Sequence, residues 1–176
     1  SPDLFPKRTP KDQVYTQIIQ DFTDAMNQLP LASTYTGADI GRASKGAATG
    51  MLAKVYLTMG QYQKAADLCS QVAAMGYSLN ADYADNFNPL KKNTSESLFE
   101  VQYSGATTYG FFDDLNQASW ASTFTGPRNQ TNFVAGAYGW DLPTQEFVDS
   151  YETGDKRKDE TILYSGCPKF NGQDYN

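Results

Sequence analysis

The chain contains no histidine, and that absence excludes more function than any residue present supports. A Ser-His-Asp triad, a histidine general base and most zinc sites all need an imidazole. Only two cysteines occur, Cys69 and Cys167, which cannot make a disulfide framework. Cys69 falls at a helical core position, where a small buried thiol is the plain expectation. Basic residues are scarce: 14 Lys and Arg against 20 Asp and Glu leave a net charge of −6. Nucleic-acid binders usually carry a basic face that displaces counterions, so this balance argues against that class. No apolar run approaches the length of a membrane span. No signal peptide starts the chain, and its opening SPDLFPKRTP reads as the interior of a longer protein.

What is present is length and aromatic content. The 176 residues suit one domain with a real core, and they carry 12 Tyr, 10 Phe and 2 Trp. With charge sparse, the polar surface leans on Asn, Gln, Ser, Thr and Tyr, a palette common in secreted carbohydrate- or peptide-binding proteins.

The first 76 residues read as three amphipathic helices. Thr9-Pro10-Lys11-Asp12 is a helix start, with Thr9 as N-cap, proline at the first helical position and an early acid. Val14, Tyr15, Ile18, Phe22, Ala25, Met26 and Leu29 recur at helical spacing until Pro30 stops the run. A loop over 31–42 leads into KGAATGMLAKVYLTMG (45–60) and QYQKAADLCSQVAAMG (61–76). Small residues line one face of each segment and a glycine ends each, the pattern of two helices packed antiparallel across a short turn. Leu52, Ala53, Tyr56, Ala65, Cys69 and Val72 follow tetratricopeptide offsets. Thr49 stands where that repeat has an aromatic, and the terminal proline is missing, so the repeat is degenerate.

After Gly76 the character changes. Tyr77–Leu79 is short and extended, and 80–93 is rich in Asn and Asp with buriable Tyr83 and Phe87. SLFEVQY (97–103) alternates Phe99, Val101 and Tyr103 against Glu100 and Gln102, which predicts a strand with one buried face. Residues 104–139 show no periodicity but many aromatics, and long ordered loops tend to carry function. PTQEFVDSYE (143–152) predicts a short helix with Phe147, Val148 and Tyr151 inward, ended by Gly154. The run DKRKDE then reads as a solvated turn with local ion pairs, before a strand-like TILY. The expected fold class is mainly α: a tetratricopeptide-like helical repeat core with an irregular aromatic-rich extension and minor β. It forms a single domain over 1–176, with helices in 1–76 and the ligand-facing part in 77–176.

Several motifs fail on inspection. GRASKGA (41–47) glances at a phosphate loop, but the spacing is wrong and no strand precedes it. Asn80, Asp82, Asp85 and Asn86 lack the alternation, central glycine and closing glutamate of an EF-hand loop, and turn-making explains them better. Asn93-Thr-Ser and Asn129-Gln-Thr are sequons of a kind that arises by chance. Asp113, Asp114 and Asp141 do not make a glycosidase pair, because adjacent carboxylates rarely flank one glycosidic bond. No enzyme class, cofactor or metal is supported.

The aromatic loop is where a binding site can live. Sugar rings present apolar C–H faces on which an indole or phenol stacks, while a polar rim makes hydrogen bonds. Trp120 is the foremost candidate platform, then Tyr109, with Arg128 and Asn129 as donors. The competing reading is that these rings plug the loop onto the scaffold. It is preferred for Phe111, Phe112, Phe124 and Phe133, and for Trp120 both readings stand.

Five segments together resemble the SusD/RagB family of surface-exposed nutrient-binding lipoproteins. They are DQVYTQIIQDFTDAMNQLP, GRASKGAATGMLAKVYLTMGQYQKAA, GYSLNADYADNF, SESLFEVQY and GWDLPTQEFVDSYETGDKRKDETI, the last with an Asp-x-Arg turn at Asp155 and Arg157. The resemblance implies a helical protein built on tetratricopeptide pairs and held at the outer face of the outer membrane by a lipidated N-terminal cysteine. Such a protein sits as a lid on a SusC-like TonB-dependent transporter and passes it glycans. It also implies that the chain is the central portion of a longer protein, touching membrane only through an anchor absent from it. On this reading the chain captures glycans without catalysis. The alternatives are an interaction module that docks a transporter, and a binder of a non-sugar nutrient such as peptide.

Overall fold

The computed structural model describes residues 7–103, 121–128 and 137–169. The described residues are mainly helical and contain no strand. They fall into two compact units, one comprising the residues up to Asn80 with Leu90–Glu100, the other Ala81–Pro89 with those from Val101 on.

The first unit holds the three long helices, α1 (Lys11–Gln28), α2 (Lys45–Thr58) and α3 (Tyr62–Ala73). Pro10, not Thr9, is the N-cap of α1, because its extended backbone places its carbonyl to accept from Gln13 and Val14. Ile19, Phe22 and Met26 of α1 pack against Leu52 and Ala53 of α2 and Leu68 of α3. Val14 points outward and is exposed. Gly60 and Gly76 take positive φ (72° and 90°), the left-handed cap that lets each helix stop where the sequence predicts.

α2 is the buried element. Gly46, Ala47, Ala48, Thr49, Leu52 and Ala53 are all covered. Thr49 occupies the place of the expected aromatic, wholly buried, with its hydroxyl donating to the Lys45 carbonyl at 2.8 Å. That bond satisfies the one polar atom the substitution introduces. The tetratricopeptide offsets hold less well on α3. Ala65 and Leu68 are its buried residues, whereas Cys69 is exposed. With α2 on one side of α3, the core needs a narrow stripe and Leu68 fills it, so the expectation of a buried Cys69 is corrected.

At the start of α2, Ser44 accepts from the Ala47 amide at 3.2 Å and shares a hydrogen bond with the Tyr77 hydroxyl at 3.2 Å. Tyr77 lies across Gly46 so closely that a Cβ there would collide with the phenol ring. Gly46 is therefore a packing requirement rather than a turn residue.

The predicted strand at 97–103 does not form. Phe99, Val101 and Tyr103, its intended buried face, are 58%, 68% and 51% exposed. Alternation alone makes no strand without a neighbour to accept its ladder. The segment is instead tied locally, with the Glu100 carboxylate accepting from the Asn93 amide at 3.0 Å and Glu96 from the Asn80 amide at 2.9 Å.

The second unit is built from short pieces: a 3₁₀ turn (Tyr83–Phe87), α4 (Ala121–Thr125), α5 (Gln145–Asp149) and α6 (Arg157–Thr161). Asp82 caps the 3₁₀ turn by accepting from the Ala84 amide at 3.2 Å, which is the turn-making role expected of this Asn/Asp-rich stretch. Phe87 is exposed despite being buriable, and meets Tyr83 edge-on at 5.2 Å. α5 is shorter than predicted, capped by Thr144 and ended at Ser150, well before Gly154. Phe147 is exposed, and its ring finds Tyr151 at 5.4 Å. DKRKDE, predicted as a turn, enters α6, and TILY supplies a buried Ile162 in place of a strand.

The Gly46–Tyr77 contact predicts a sign reversal. Gly46→Ala should destabilise the chain by about 1–2 kcal/mol through overpacking. In a Tyr77→Ala background the same change should become neutral, or stabilising by up to about 1 kcal/mol, because alanine is the better helix former. Urea unfolding of the four proteins measures both. Equal effects in the two backgrounds would remove Tyr77 as the reason for the glycine.

Candidate functional site

The second unit carries a cluster of rings held by its main chain. The residues around α4 and the stretch 137–140 are joined by three backbone bonds: Tyr138 N–H to Thr123 at 2.9 Å, Gly139 to Gly126 at 2.9 Å, and Trp140 to Phe124 at 2.8 Å. Tyr138 and Trp140 flank Gly139, and their rings lie on the same side of this clasp. Phe124 and Trp140 stack with centroids 4.8 Å apart and planes within 2°. Tyr138 flanks both, at 5.6 Å from Trp140 and 6.3 Å from Phe124.

These rings are not a closed core. Trp140 is 52% exposed and Tyr138 48%. Phe124 covers one face of the indole, and a half-open indole backed in this way is a rigid surface for another flat or C–H-rich group. Gly139 makes the clasp possible. Its φ of 65° suits glycine, and a Cβ there would sit 3.3 Å from the Arg128 Cβ. Asp141 follows with φ 55°, a conformation aspartate tolerates better than most residues.

Of the four site residues expected from the sequence, only Arg128 is described. Trp120, Tyr109 and Asn129 lie outside the described residues, as do Phe111, Phe112 and Phe133. Arg128 is exposed and donates from Nε to the Tyr138 carbonyl at 2.8 Å, which brings it beside the ring cluster. Trp140 and Tyr138 were not among the expected site residues. The signal was available: two aromatics at i and i+2 around a glycine, in a stretch too short and too glycine-rich to be a core strand.

A second concavity of about 250 Å³ lies within the helical unit, lined by Tyr35, Arg42, Ser44, Tyr77 and Phe99 among others. Several of its polar groups are engaged locally. Tyr35 donates to the Ala43 carbonyl at 2.8 Å, Arg42 pairs with Asp39 at 2.7 Å, and Ser44 caps α2. Among the described residues no group of three or more His, Cys, Asp or Glu side chains could hold a metal ion.

Two curated proteins are similar to this chain in sequence. Over 98 residues, 55% of the chain, it is 33% identical to SusD-like protein P25 of Formosa agariphila, aligning with 18% of that protein. Over 161 residues, 86% of the chain, it is 29% identical to SusD-like protein P2 of the same organism, aligning with 30% of that protein. The chain is thus similar to SusD-like proteins. It spans less than a third of the length of these curated relatives. No family model matches it, and no solved structure matches it.

In this chain the Asp155-x-Arg157 turn is a compact ion-pair knot. Asp155 Oδ1 accepts from the Arg157 amide at 3.0 Å and from its Nε at 2.9 Å, while Oδ2 accepts from Nη2 at 2.5 Å. The Asp155 side chain is largely covered and Arg157 is open. Arg157's side-chain hydrogen bonds hold the Asp155 carboxyl below the usual aspartate range, and Asp155 in turn raises the guanidinium. Next to it, Tyr164 donates to Asp159 at 2.7 Å, which raises the phenol's pKa, and Lys158 lies 4.5 Å over the Tyr164 ring.

A depressed carboxylate pKa fixes the sign of a pH effect. The knot contributes stability above the ordinary aspartate pKa and loses it as pH falls through the lowered folded value. Wild type should therefore be more stable than Asp155→Asn near neutral pH, with the difference closing below about pH 4. Thermal melts across that range measure it. A difference that persists undiminished into acid would show that charge is not what the knot supplies.

Proposed function

We propose that this SusD-like chain captures glycans without catalysis, using the ring cluster of Phe124, Tyr138 and Trp140 as a stacking platform. One observation carries the reading: an indole with one face backed by a parallel phenyl ring and half its surface open. A pyranose stacks its C–H face on such a ring, and nearby donors take its hydroxyls. Trp120, Tyr109 and Asn129 are proposed as further sugar-binding residues, with Arg128 as a donor beside the rings.

In the longer protein, the captured glycan would be delivered to a SusC-like TonB-dependent transporter at the outer face of the outer membrane. The SusD-like relatives support this setting. Among the described residues no helix is long and apolar enough to cross a membrane. A second reading, in which the helices dock a protein partner, is favoured by Leu57 and Tyr62, exposed at the corner between α2 and α3.

Calorimetry of the chain against a panel of neutral and acidic oligosaccharides tests the platform. Trp140→Ala should weaken binding by about tenfold, or about 1.4 kcal/mol. The melting temperature should change little, since the ring is half exposed. Unchanged affinity in a folded variant, or no glycan bound by wild type, would sink the assignment.

A further inference from the structure

We infer that the platform prefers acidic glycans, with Arg128 receiving a sugar carboxylate or sulfate; this rests on the platform being a glycan site. Arg128 is an exposed guanidinium whose Nε is committed to the Tyr138 carbonyl at 2.8 Å. That bond holds the guanidinium at the backbone of the residues that carry the rings. Its two terminal nitrogens, with their four N–H groups, have no partner among the described residues. A planar fork of this kind matches a carboxylate or sulfate bidentately, a geometry that a neutral hydroxyl cannot use.

Two other cations of the same unit are engaged differently. Arg157 is held by Asp155, and Lys158 lies over the Tyr164 ring. No carboxylate among the described residues pairs with Arg128, and Asp141, next to Trp140, makes no ion pair with it. The close approach of Gly139 to the Arg128 Cβ keeps the arginine stem against the clasp, reducing the entropy lost when an anion is bound. The charge of the whole chain is −6, so no long-range field gathers polyanions, and the preference rests on this local contact. Single-stranded nucleic acid, which also stacks on rings, needs a tract of cations along its backbone and is disfavoured.

Calorimetry of the whole chain tests this with matched probes: oligogalacturonate against its methyl ester, and chondroitin sulfate oligosaccharide against its desulfated form. An oligothymidylate serves as a further competitor. At least one acidic form should bind about tenfold tighter than its neutral partner, the preference shrinking as salt rises. Arg128→Gln should erase the preference, Arg128→Lys should restore only part of it, and Trp140→Ala should weaken both forms. Equal affinity for charged and neutral forms overturns the inference. So does a preference that survives Arg128→Gln, or tighter binding of the oligothymidylate. If neutral and acidic forms bind equally and Trp140→Ala weakens both, the platform stands and only the acidic preference falls. If no glycan binds, both fall.

Discussion

The helical unit depends on α2 being contacted by α1 on one side and α3 on another. A helix covered on two flanks has no room for large side chains at both contacts, so its buried positions are Gly46, Ala47, Ala48, Thr49 and Ala53, with Leu52 as the one large residue. The same crowding reaches the helix start, where the Tyr77 phenol occupies the space a side chain at Gly46 would need. Ser44 and Thr49, both fully covered, keep their hydroxyls bonded, so burial leaves no orphan polar atom.

The second unit is held by other means. Its helices are short and its buried apolar residues few, Ala137 and Ile162 among them. Main-chain bonds between 123–126 and 138–140, ring stacks and the Asp155–Arg157 knot take the place of a large core. This difference suits the roles proposed for the two units. A scaffold hides apolar surface, while a stacking platform must keep it open, and rings can stay open only if something besides burial fixes them. Backbone clasping does so, because the three N–H to carbonyl bonds position Tyr138 and Trp140 without using their side chains.

Much of the helical unit was legible in the sequence, and the reasons are local. The 3.6-residue spacing from Tyr15 to Leu29 and the glycines at 60 and 76 act within one or two helical turns. Errors arose where a rule needed a partner the sequence does not name. SLFEVQY alternates like a strand, but no neighbouring strand pairs with it among the described residues. Cys69 has a core offset, but the outer side of α3 is uncovered by α2. Phe147 follows helical periodicity on a helix too short to bury it. Of the candidate site only Arg128 was named in advance and is described, and its tie to Tyr138 is a contact across ten residues.

By itself the sequence determined the helical character, the lack of imidazole chemistry and the surplus of aromatic side chains, because each follows from residue identity or short-range periodicity. Tertiary structure alone decided which of those rings face solvent. Exposure of Trp140 depends on Phe124 covering one face of it and on residues 123–126 clasping 138–140. Such pairing through space leaves no periodic mark along the chain.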